Sequence, residues 1–223
     1  MKSITTTVGI ALFFGCISSR AAGWTDNLYL NADLGSATIS GGTTHHLALV
    51  QGEIVHRSGQ FQADTGIRGD LSLGYHLTKS LAVELEAGAI SNPGPGTEDE
   101  FYQIPTMLKM RYQVPLNNSW KIDFGAGAGG VVVIDQSEIR TATVYRSFLL
   151  KDTSSSFGYE ADAGIKYTPS PHLEIGLGYK FLDVSEFRSD FITYDLNGFP
   201  VVVEGKVNDL FTHTALLSFT WKF

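Results

Sequence analysis

This 223-residue sequence is short of the features that mark several common classes of protein. It has one cysteine, Cys16, so no intramolecular disulfide can form. Beyond its N-terminal segment it has no run near the roughly 18 apolar residues that a membrane helix needs. Basic residues are in the minority, 16 against 23 acidic ones, giving a formal charge of −7 that disfavours nucleic acid and anionic lipid surfaces as partners. Amphipathic helical patterning is also scarce. What remains is 24 glycines, 12% aromatic residues and a recurring period of two.

The N-terminal segment has the form of an export signal. Lys2 supplies the positive start, Val8 to Ile17 an apolar stretch too short to span a bilayer, and "SRAAG" the small residues for cleavage. Residues 1–21 are therefore expected to be removed, with a boundary after Gly23 as the alternative, leaving a single domain over 22–223. Loss of Lys2 and Arg20 moves the charge from −7 to −9, and Cys16 goes with the signal. "FFGC" is a poor lipoprotein acceptor because Phe13 and Phe14 occupy its upstream positions.

Period-two alternation picks out eight segments: 27–35, 61–76, 81–89, 102–114, 120–134, 157–167, 173–181 and 210–223. In the first, Leu28, Leu30, Ala32 and Leu34 oppose Asn27, Tyr29, Asn31 and Asp33. In the second, Phe61, Ala63, Ile67, Leu71, Leu73 and Tyr75 oppose Asp64, Arg68 and Asp70. The same division sets Lys109 and Arg111 against Leu108, Met110 and Tyr112, and Glu174 and Lys180 against Ile175, Leu177 and Tyr179. Across all eight segments sixteen charged residues, nine acidic and seven basic, share the polar face and none lies on the apolar one. A soluble sandwich alternates too. The export signal, the aromatics near strand ends and the bare terminal Phe223 argue instead for an apolar face turned towards lipid.

The connections alternate in length. "TKS", "PLNNS" and "TPSPH" are short, whereas roughly 36–60, 90–101, 135–156 and 182–209 are long. The expected fold is an all-β, eight-stranded antiparallel transmembrane β-barrel with short periplasmic turns and long extracellular loops. Asn197-Gly198 between strand-like runs predicts a hairpin in the last loop. Pro105 falls inside the fourth strand and calls for a bulge or a rim position.

With its strand pattern, the glycine-rich "WKIDFGAGAGGVVV" and the terminal "SFTWKF", the chain resembles the small eight-stranded outer-membrane barrels, such as the transmembrane domain of outer-membrane protein A and the opacity-type surface proteins. The resemblance covers nearly all of the mature chain. It implies a place in the bacterial outer membrane, surrounded by lipid, and a monomer. It also implies that the final Phe, with aromatics at alternate positions before it, is read by the barrel-assembly machinery.

Candidate chemistry is sparse. Lipid-A deacylase barrels use His-x-Ser with a carboxylate; "HLT" (76–78) and "THT" (212–214) lack the serine, which leaves only pairing across strands as a route to a nucleophile. His213 is expected on the outward face near the outer interface. Glu84 and Glu86 read as members of an ion network in the bore rather than as an acid–base pair. "GAGAGG" lacks the Lys and Ser/Thr of a phosphate loop and makes room for long side chains from opposite strands. His45, His46 and His56 share one loop without a fixed metal geometry. No catalytic, cofactor-binding or metal-binding residue is therefore expected, and the chain reads as a non-enzyme. The expected role is structural or surface-interacting, through long loops contacting an extracellular ligand. The alternatives are a narrow channel or lateral path for small, apolar solutes and, more remotely, a lipid-modifying enzyme.

One prediction concerns the terminal strand. Deleting Phe223, or replacing Trp221 and Phe223 by polar residues, should impair assembly more than replacing Lys222. Outer-membrane levels of each variant, measured by fractionation and immunoblot, check this; normal levels of the deletion variant contradict it.

Overall fold

A computed structural model describes residues 27–50, 53–94, 100–139, 148–188, 191–194 and 200–223. The predicted signal segment lies outside these residues. The described strands are β1 (Leu28–Val50), β2 (Glu53–Gln60), β3 (Gly66–His76), β4 (Leu81–Pro93), β5 (Glu100–Pro115), β6 (Trp120–Ile139), β7 (Phe148–Ser170), β8 (Leu173–Arg188), β9 (Phe191–Tyr194) and β10 (Pro200–Lys222). Eight of them form an antiparallel ring in the order β1-β3-β4-β5-β6-β7-β8-β10. The ring closes through β1 and β10, paired from Tyr29↔Lys222 to Ala48↔Val203. Closure removes the sheet edges and satisfies the backbone within the chain, which is what lipid demands.

The sidedness decides between a soluble and a membrane barrel. Burial on β5 alternates without a break from Phe101 to Gln113. The buried side carries Arg68, Lys109 and Lys180, each 1% exposed, whereas Leu34, Ile67 and Leu177 are 63–66% exposed. Charges lie inside and aliphatic side chains outside, the inverse of a soluble sandwich. No described helix is long and apolar enough to cross a membrane.

The turns at one end are short and locally braced. Thr78 Oγ1 accepts hydrogen bonds from the backbone N–H groups of Ser80 and Leu81, and Asn117 Oδ1 from those of Ser119 and Trp120. At the other end the chain is more regular than its sequence suggests. Much of the expected loops 36–60, 135–156 and 182–209 is strand: β1, β7 and β10 each run 23 residues, against the roughly 9–11 that cross a bilayer. β2 folds back on the upper part of β1, and β9 pairs with the start of β10 around the predicted Asn197-Gly198 turn. The turn itself, residues 195–199, lies outside the described residues.

Three departures from the sequence reading have physical causes. Asp64 is exposed rather than inside the bore, because residues 61–65 are not strand and its N–H is taken by the Pro93 carbonyl at 2.7 Å. Phe61, expected to face lipid, turns inward onto Phe101 and Phe187, with ring centroids 4.8 and 6.4 Å away. Pro105 also faces the bore. Its missing donor is accommodated by a gap rather than a bulge: the β4–β5 ladder omits Gly88, Ala89, Ile104 and Pro105 and resumes in the same register.

Inside–outside alternation also changes phase across β1, β10 and β8. Gly41 and Gly42 have φ of 78° and 89° and Asp209 has φ 56°, the left-handed region that glycine enters without steric cost. Below this kink Leu210 and Thr212 face inward; above it Val207 and Phe187 do, leaving Lys206 and Arg188 exposed.

A ring closed by hydrogen bonds should hold in detergent. Folded protein loaded in SDS without heating should migrate differently from boiled protein. Identical migration of the two samples would contradict the closed barrel.

Candidate functional site in the bore and on the outer wall

Inward-facing side chains of neighbouring strands stand close enough to fill a ring of eight strands. In the lower half they do so with charge. Lys180 of β8 places its Nζ 3.1 Å from Asp33, 2.7 Å from Asp70 and 3.0 Å from Glu86, so it spans the ring to β4. Arg68 of β3 spans it in another direction, bonding Asp70 at 2.8 Å and reaching Glu160 of β7. Lys109 joins Glu86 and Glu160 at 3.1 and 2.6 Å. Beneath them Arg111 binds Glu84, Asp123 and Asp162, while Lys121 and Lys222 meet on Glu174. Lys166 donates to Thr220 Oγ1 at 3.1 Å. The predicted bore charges thus converge here, Asp64 excepted.

Glu84 and Glu86 belong to this network, as expected. Glu84 accepts from Tyr29 Oη at 2.7 Å and Arg111 Nε at 2.8 Å, and Glu86 is bonded by Arg68, Lys109 and Lys180. Asp33, Asp70 and Glu86 present carboxylate oxygens within 4.8 Å of one another, a cation-binding spacing filled by the Lys180 ammonium. The glycines of β6 do make room, but for neighbouring strands rather than opposite ones. A Cβ on Gly125 would lie 2.5 Å from Asp162 of β7, and one on Gly127 would lie 2.5 Å from Lys109 of β5.

The upper bore is apolar. Ala37, Ile90, Met107, Val131, Leu182, Val184 and Leu210 are each at most 1% exposed and form one cluster with Phe101, Val133, Phe187 and Val207. The alternation does not reveal this layer, because "GGVVVI" is apolar on both faces and the alternating segments 81–89 and 173–181 end just before Ile90 and Leu182. Gln103 and Thr212 hydrogen-bond within this upper region at 3.0 Å.

On the outer wall, three strands bring polar groups together at the top of the apolar band. His213 of β10 lies opposite Thr38 of β1 and Phe181 of β8, so its diagonal neighbours are Ser40 above and Tyr179 below. His213 Nε2 is 2.6 Å from Ser40 Oγ, and Nδ1 is hydrogen-bonded to the Tyr179 hydroxyl. Sequence inspection placed His213 correctly but missed its partners, which lie 173 and 34 residues away. Pairing across strands, the one route to a nucleophile that the sequence leaves open, is what brings them together.

Above the barrel, His45, Leu47, His56, Arg188, Glu204 and Lys206 line a concavity of about 340 Å³ on the extended sheet. His45 Nδ1 is 3.2 Å from Ser58 Oγ, and Lys206 pairs with Glu186 at 2.6 Å. The side chain of His46 lies outside the described residues.

A closed antiparallel ring of eight strands, charged within and apolar without, defines an outer-membrane β-barrel of the bacterial envelope. The chain matches the outer membrane protein beta-barrel domain family over residues 8–223 and belongs to that family. Among solved structures it is similar in fold to the outer membrane protein OprG of Pseudomonas aeruginosa, at 15% identity and a TM-score of 0.58, covering 90% of this chain and 99% of that one. It is also similar to the outer membrane protease OmpT of Escherichia coli, at 10% identity and a TM-score of 0.52, covering 92% and 99%. Neisserial surface protein A gives 14% identity and a TM-score of 0.50, covering 88% and 97%. No curated protein matches the chain by sequence.

The bore network makes a stability prediction. Lys180→Met leaves Asp33, Asp70 and Glu86 without their shared cation and should destabilise the barrel by about 3–5 kcal/mol. Adding Asp33→Asn, which neutralises the carboxylate that pairs with no other cation among the described residues, should restore part of that loss. Urea unfolding in lipid vesicles, followed by tryptophan fluorescence, reads both effects.

Proposed function

We propose that this chain is a closed outer-membrane barrel that acts through its surfaces rather than by passing solute along its bore. The filled bore carries this reading. Long charged side chains interlock across the lower half, and an apolar cluster lies over them. The cavity between Asp33, Arg111, Asp123 and Lys166 measures about 20 Å³, room for roughly one water. A solute moving along the axis would have to separate buried ion pairs, and each charge so stranded is expensive.

Surface contact is supported by the strands that rise beyond the membrane. The β1–β2 hairpin and the upper parts of β8 and β10 form a sheet bearing exposed His45, His56, Arg188, Glu204 and Lys206. Its mixed charge suits a polar extracellular partner on a host, matrix or envelope surface. On this reading residues 1–21 direct export and are removed, and the terminal strand engages the assembly machinery.

In planar bilayers the unaltered protein should show little or no stable conductance, rising when Arg68 or Arg111 is replaced by alanine. A large, ungated conductance from the unaltered protein would overturn the closed-bore reading. Excision of residues 43–60 tests the surface role, because Gly42 and Phe61 are already hydrogen-bonded at 2.8 Å. The shortened protein should still fold, by its heat-dependent mobility, but cells displaying it should lose adhesion to host monolayers or matrix-coated plates. Unchanged adhesion would count against the hairpin as the contact.

A further inference from the structure

The outer wall carries an arrangement that neither a closed bore nor a surface sheet requires. Nucleophilic acyl transfer needs a hydroxyl, a base that takes its proton and a third group that fixes the base. Ser40, His213 and Tyr179 stand in that order across β1, β10 and β8, with Ser40 Oγ 2.6 Å from Nε2 and the Tyr179 hydroxyl bonded to Nδ1. Each ring nitrogen therefore has a different hydroxyl partner on a different strand. Ser40 is exposed, as a nucleophile must be.

The height of the site sets the substrate class. The outward side of β10 reads Trp221, Phe219, Leu217, Ala215, His213 and Phe211 before reaching Asp209, and Asp183 lies opposite Phe211 on β8. From Trp221 to Phe211 is about 33 Å of strand, or about 25 Å of height at a tilt of about 40°, the full apolar band of such barrels. Ser40 thus lies in the row of the first outward carboxylate, Asp183, and His213 one row beneath it. That is the level at which acyl chains of the outer leaflet join their headgroups through esters. Phe181 and Phe211, stacked with ring centroids 5.7 Å apart, flank the imidazole and offer an apolar wall for the acyl chain.

We propose that Ser40 and His213 form a lipid-facing catalytic pair, positioned by Tyr179, that hydrolyses acyl esters of outer-leaflet lipids. Nδ1–H donates to the Tyr179 oxygen, leaving Nε2 to accept the Ser40 proton. Ser40 Oγ adds to the ester carbonyl, and the tetrahedral intermediate collapses with cleavage of the bond to the lipid alcohol. His213 returns the proton to that leaving oxygen. Water, deprotonated in turn by Nε2, attacks the acyl-Ser40 carbonyl and releases the fatty acid, restoring the Ser40 hydroxyl. Gly41, directly after Ser40, is exposed and carries no Cβ beside the Phe211 ring, and the amide following a nucleophile is a common donor to the developing oxyanion.

The folded full-length protein should be reconstituted separately into phosphatidylethanolamine vesicles and vesicles containing lipopolysaccharide, and released fatty acid measured. Release from either supports the proposal, and the responding vesicle identifies the lipid. Ser40→Ala and His213→Gln should each lower release by about 10²- to 10⁴-fold while keeping the heat-dependent gel mobility. Tyr179→Phe should lower kcat and leave KM unchanged, as expected of a positioning residue. In the unaltered protein a lipophilic fluorophosphonate should add to Ser40, located by peptide mass spectrometry, so the test does not depend on any variant folding. No release from either vesicle, release that persists in Ser40→Ala, or labelling that avoids Ser40 overturns the proposal.

Discussion

The structure depends on charge buried in a closed ring. Lys180 on β8 and Glu86 on β4 stand half a ring apart, as do Arg68 on β3 and Glu160 on β7. Each pair spans the bore, so strands with no backbone bond to one another are tied across it. In a site this dry an unpaired ion is costly, and a slipped strand would leave several carboxylates and ammonium groups without partners at once. Register, closure and ion pairing are therefore one condition.

That condition divides the barrel into regions with different work. The lower bore is a salt-bridged solid, and the upper bore is an apolar core where Phe101, Phe187 and the inward-turned Phe61 pack together. With the inside committed to stability, recognition is left to the outside. The phase change at Gly41, Gly42 and Asp209 marks the transition: below it the outward face is lipid-compatible, and above it His45, Lys206 and Arg188 turn outward into water. Ser40 lies at this junction, beside the apolar band and one residue before the kink.

The alternation of Leu30, Ala32 and Leu34 against Tyr29, Asn31 and Asp33, repeated in every ring strand, fixed the number of ring strands and the face each presents. It did so because lipid on one side and a narrow bore on the other impose a strict period of two. The same logic placed fifteen of the sixteen predicted bore charges inside. It failed at Asp64 and Phe61, where the chain leaves the ladder and the period has no meaning. It also failed in the upper bore, where apolar residues occupy both faces and alternation carries no information about direction.

Partnership was decided by tertiary structure alone. Nothing in "GDL" or "LEA" says that Lys180 will find Asp70 and Glu86, or that His213 will find Ser40 near the other end of the chain. Those pairings arise when β1 meets β10, because closure converts sequence separation into adjacency. A strand's own pattern determines which side a residue faces; only the closed ring determines what it faces.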